Sequence, residues 1–205
     1  MNYFASLLFL LTSIFVNAQI EEFNLSTNQE NELNETFKNY LSDIQAPDKD
    51  WNQITSYTHA KLFDLLSKDD MINKLKVSFK NEAYYTTYEV MDYLNEESSF
   101  KFNEVMYSKV LYNTRFTFHF TQGENDTDKE FNLYVDFMAG TFQNKFKDMQ
   151  VAKQEGNNIV FSGVKTIIAV MDPSVGSWKM LEYLENNEMY YSLFLPKEVA
   201  AKLGE

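Results

Sequence analysis

The chain holds 205 residues, a formal net charge of −12 and no cysteine. An acidic chain without a basic cluster lacks the electrostatic footprint of a nucleic-acid binder or of a protein held on an anionic membrane surface. The missing cysteines exclude disulfides, metal thiolates, a thiol nucleophile and lipid attachment at a cysteine, so stability must come from packing, for which 18 Phe and 13 Tyr are present.

Residues 1–18 carry no charged side chain, and residues 4–16 form an apolar run too short to span a bilayer comfortably. Val16-Asn17-Ala18 sets small residues three and one before the next bond, so this stretch reads as a signal peptide cleaved before Gln19. The expected location is periplasmic or extracellular, with no membrane span after signal removal. Residues 19–205 then suit a single domain with one core.

Residues 21–32 are polar, with Thr27 or Asn28 available as a helix cap. Leu33, Phe37, Leu41 and Ile44 recur at spacings of four and three, which predicts a helix ending before Pro47. Asp48 or Asp50 can cap a second short helix carrying Trp51, Ile54 and Tyr57. Leu62, Phe63, Leu65 and Leu66 continue the apolar pattern, and Ser67 with Asp70 marks the start of a further helix with Met71, Ile72, Leu75 and Phe79.

From Tyr84 the chain turns aromatic and β-branched, so strands are expected, with a polar turn at residues 95–99. Phe116, Phe118 and Phe120 alternate against Arg115, Thr117 and His119, placing an apolar and a polar face on one strand. Phe131, Leu133, Val135 and Phe137 alternate in the same way and are read as its hairpin partner. Residues 164–171 are a near-continuous apolar run that suits a strand buried on both faces. The turn residues Asp172, Pro173, Ser174 and Gly176 follow it, then a second apolar strand from Trp178. Residues 188–203 read as one or two short terminal helices. The order of elements gives an α+β fold, N-terminal helices packed on a curved antiparallel sheet, with no helix expected between strands. A lipocalin-like barrel competes less well, because such barrels do not begin with several amphipathic helices.

Two stretches resemble the nuclear transport factor 2-like superfamily, in particular its small exported bacterial domains. One is DWNQITSYTHAKLFDLLSKDDMINKL at residues 50–75; the other is Asp172, Gly176, Trp178 and Lys179, followed by LPKEV at residues 195–199. Ala60 stands where that family usually has proline, and Met180 where it has an aromatic residue. The resemblance implies a cone-like sheet enclosing a pocket against the helices, and a tendency to form a homodimer through the sheet. It implies no activity, because this scaffold carries many functions.

The pocket candidates are Trp51, Tyr57, His59, Phe63, Tyr88 and Trp178. His59 is either an acid or base at the helix junction or a hydrogen-bonded junction residue. Tyr134 with Asp136 is either isomerase-type chemistry or an outward polar face. His59 and His119 lie on separate elements without ligand spacing, so no metal is expected, and no cofactor motif is present. The functional expectation is a non-catalytic binding module for a small amphipathic molecule or a protein partner. The alternative is a cofactor-free lyase or isomerase using a pocket Tyr with Asp or His.

Overall fold

The computed structural model describes residues 20–184 and 187–204. The signal peptide read from residues 1–18 lies outside them. After a short strand β1 (Ile20–Glu22), helix α1 spans Thr27–Gln45. Its cap is Ser26 rather than Thr27 or Asn28. The Ser26 hydroxyl accepts from the Gln29 N–H while the Gln29 side chain accepts from the Ser26 N–H at 2.9 Å. Thr27 also has a Glu three positions on, at Glu30, but it is Ser26 with Gln29 that forms the reciprocal pair. Leu33, Phe37, Leu41 and Ile44 form the buried face, as their spacing predicts. Removing each from water contributes about 1.5–3 kcal/mol, set against the entropy of ordering it. Asp50 caps α2 (Trp51–Ser56) by accepting from the N–H groups of Asn52 and Gln53. A 3-10 turn covers Ala60–Asp64, and Ser67 caps α3 (Lys68–Phe79) by accepting from the Asp70 N–H.

Strands β2 (Tyr84–Phe102) and β3 (Val105–Phe120) form a long antiparallel hairpin. β5 (Asn158–Asp172) pairs with the other side of β3, and β4 (Gln150–Gln154) and β6 (Ser177–Glu182) both pair with β5. The order is β1-β2-β3-β5-β4 with β6 beside β5, curled into a half-barrel, so the fold is α+β with helices on a curved antiparallel sheet. β5 is buried on both faces. Ile167, Ala169 and Met171 pack with α1, whereas Ile168 and Val170 pack against Tyr191, Leu195 and Val199 of the C-terminal segment. That segment carries α5 (Glu188–Tyr191) and α6 (Lys197–Gly204). In the β5–β6 turn the Asp172 carboxylate accepts from the Ser174 N–H and hydroxyl, and Gly176 takes a φ of +68°, which favours a residue without Cβ.

Two expectations are corrected. Residues 95–99 are not a turn: β2 continues through them, and register shifts between Tyr93 and Asn95 and between Glu96 and Ser98 absorb the polar run as bulges. Ser99 is buried there, its hydroxyl bonded to Ser108 at 2.8 Å and to the Glu96 carboxylate. Residues 131–137 are not a strand but part of helix α4 (Asp128–Lys145), which stands between β3 and β4 where no helix was expected. Thr127 and Glu130 cap it reciprocally. Phe131, Val135 and Ala139, spaced by four, are its buried face, while Leu133 and Phe137 are 58 % and 69 % exposed. Together with Phe142 this face covers Phe118 and Phe161 on the same side of the sheet as α1.

Candidate functional site

The segment after α2 is stitched to the sheet by backbone. The Met180 N–H donates to the Tyr57 carbonyl at 2.6 Å, and the His59 N–H donates to the Met180 carbonyl at 3.1 Å. From this anchor the 3-10 turn and α3 arch over the curled sheet, and a cavity of about 600 Å³ remains beneath them. Its apolar wall includes Ile44 and Ile54 from the helices, Leu62 and Leu75 from the arch, and Ile167 and Met180 from the sheet. That size falls within the range of small-molecule sites.

Polar groups enter this wall at a few points. Tyr40 lies three residues after Phe37 on the buried side of α1, Tyr112 lies two after Val110 on β3, and Tyr88 pairs with Phe116 across β2 and β3. Their rings are fixed by aromatic contacts, Phe37 to Tyr112 at 5.4 Å and Tyr88 to Phe116 at 5.3 Å between centroids. None of the three hydroxyls bonds to another described residue, although all three tyrosines line the cavity. Burial raises Tyr40 and Tyr112 well above the usual phenol range; Tyr88 and Glu182 add to both, and Tyr40 adds further to Tyr112. Burial pushes Tyr88 up to about 12. Glu182, opposite Ile167 at the end of β6, is the one charged side chain lining the cavity among the described residues.

A second, more open groove of about 920 Å³ adjoins the cavity, and Phe79 and Tyr88 line both. Trp51 packs edge-on against Phe79 at 5.2 Å, and the Lys49 ammonium lies 4.9 Å from the Phe79 ring centre. Lys80, Asp48 and Thr86 complete its polar side.

The six residues singled out from the sequence do not converge. Tyr88 lines both hollows and Trp51 lines the groove, but Trp178 is 1 % exposed within the core and Phe63 is half-buried outside either hollow. The Tyr57 hydroxyl donates to Asp43 at 3.0 Å and accepts from Gln53, and neither Tyr57 nor Asp43 lines the cavity. His59 sits at the stitched junction with its Nδ1 buried and unpaired, and burial lowers its pKa. Of the remaining candidates, Asp136 is on α4 in an ion pair with Lys153 at 2.7 Å. His119 stacks on Tyr85 at 4.4 Å and lies between Thr87 and Asn158. Among the described residues no group of His, Cys, Asp and Glu is placed to hold a metal ion. Tyr40, Tyr112 and Glu182 were missed, although Phe37, Tyr40, Leu41 and Ile44 follow the spacing that put their neighbours inside.

No family model, no curated protein and no solved structure matches the chain. Among the described residues no helix is long and apolar enough to cross a membrane.

Proposed function

We propose that the chain is an exported, non-catalytic binding module that holds a small amphipathic ligand between its helices and its curled sheet, on a nuclear transport factor 2-like scaffold. The carrying observation is the cavity wall: apolar over most of its area, with three tyrosine hydroxyls that find no partner in the described chain. These hydroxyls open onto the cavity with hydrogen-bonding capacity free, and a ligand with one polar end and one apolar end would suit both parts of the wall. An acid–base enzyme would need a carboxylate or imidazole hydrogen-bonded to a cavity tyrosine, and Glu182, the carboxylate that lines the cavity, makes no such bond. The hydrogen-bonded Asp43–Tyr57 pair and the junction residue His59 both lie outside the lining.

Native mass spectrometry of protein purified from its own host tests this reading. A retained small molecule is expected. An empty protein that turns over a panel substrate, with turnover lost in His59→Ala, would replace the binding reading with the lyase or isomerase. Homodimerisation through the outer sheet face belongs to the same proposal. It is supported by the face's mixed character, where the 44 % exposed Tyr85 stacks on His119 beside the Arg115–Glu89 ion pair at 2.8 Å. Light scattering that gives a monomer mass at all concentrations would remove it.

A further inference from the structure

We infer, resting on the binding reading above, that the cavity selects a cationic amphiphile, an ammonium head held by Glu182 and the tyrosine rings with an apolar tail along the helix-side wall. Glu182 lies on the same face of β6 as Met180 and Trp178, two and four residues before it, so its side chain faces the helices. Its charge acts on Tyr40, Tyr112 and Tyr190. No Lys, Arg or His lines this cavity among the described residues. An ammonium group over tyrosine rings gains attraction to their negative faces, and a carboxylate at the edge of a low-dielectric wall strengthens it.

The alternatives fit less well. An anionic head would meet Glu182 and find no cation, while a neutral alcohol would satisfy the hydroxyls but gain nothing from the exposed Glu182 charge. Lys49 and Lys80 line the outer groove, beyond Phe79 and Tyr88, and not the inner cavity, so among the described residues the Glu182 end offers a cationic head a carboxylate without a competing lysine in the lining. Leu62, Leu66, Met71 and Leu75 then line the path of the tail.

Three probes with the same tail separate head-group selection from simple tail burial. Decyltrimethylammonium, decanol and decanoate are titrated calorimetrically, each below its micelle concentration, into the full chain. The ammonium is expected to bind about tenfold or more tighter than decanol, with decanoate weakest. Glu182→Gln should remove the ammonium's advantage and leave decanol unchanged. Glu155→Gln, which removes the same charge at the exposed end of the β4–β5 turn, controls for the net charge of −12 and should leave the advantage intact. Tyr40→Leu, which keeps an apolar wall but removes a ring face, should weaken ammonium more than decanol. Equal affinity for ammonium and decanol, or equal effects of Glu155→Gln and Glu182→Gln, would overturn the head-group assignment while the cavity stays a binding site. If none of the three binds, the binding-module reading falls with it.

Discussion

Phe79, the last residue of α3, packs against Tyr88 of β2 with ring centres 5.4 Å apart, and this pair is the wall between the inner cavity and the outer groove. One aromatic contact therefore keeps two hollows separate. Phe79→Ala is expected to cost about 2 kcal/mol, below the roughly 3–5 of a fully buried ring, because Phe79 is only half-buried. It should also join the hollows. The neutral dye Nile red should then bind more strongly to the variant than to the parent, and unchanged dye fluorescence would count against a shared wall.

Helix α4 makes a prediction that a strand there would not. In a strand, Phe131 and Phe137 share a face; in the helix they lie on different sides, 6 % and 69 % exposed. Phe131→Ala should cost about 3–5 kcal/mol, and Phe137→Ala should stay within about 0.5 kcal/mol of the parent. Equal losses in denaturant unfolding would contradict the helical phase.

The contrast shows what was legible in the sequence and what was not. α1 was readable because Leu33, Phe37, Leu41 and Ile44 fit only a helical period, and β5 because a β-branched run with turn residues after it fits a central strand. The α4 stretch was ambiguous, since residues 131, 133, 135 and 137 alternate while 131, 135 and 139 also follow the helix. The deciding signal was local: Thr127 with Glu130 is a capping pair just before the apolar run. Residues 95–99 were misread because their polarity resembles a loop, whereas bulges let β2 carry them. Trp51 and Tyr88, singled out because large aromatics stand out in the sequence, line the hollows. Glu182 was not singled out, because its role depends on how the curl of the sheet brings β6 beneath α1.

His59 gives a pH dependence of stability. Burial lowers its folded pKa below the ordinary imidazole value of about 6.5; Asp172 nearby opposes this and Lys61 adds to it. The unfolded chain therefore takes up a proton first as pH falls, so stability should drop from about pH 6.5 downward until the folded form also protonates. Asp172, held low mainly by its hydrogen bonds from Ser174, adds a separate loss only at the acid end. Denaturant midpoints measured from pH 7.5 to 5 should slope in the parent and flatten in His59→Gln. Parallel curves would reject the assignment.

The buried tyrosines act at the other end of the scale. Folding holds Tyr40, Tyr88 and Tyr112 protonated, so their contribution to stability is present below the unfolded phenol pKa of about 10 and is lost above it. Spectrophotometric titration should show several tyrosines ionising only above pH 11 or together with unfolding. Smooth titration of every tyrosine near pH 10 in the folded protein would contradict the burial of these three.

The central claim is that the cavity under α3 is where a ligand sits, and filling it is the most direct test. Leu75 lines that cavity from α3, and Leu75→Trp places a larger side chain into the space without adding charge. Wild type and variant, matched in unfolding midpoint to within a few degrees, are compared for decyltrimethylammonium affinity by calorimetry. The account predicts at least a tenfold weaker affinity for the filled protein, about 1.4 kcal/mol. Undiminished affinity in Leu75→Trp would show that binding occurs elsewhere and would contradict the account.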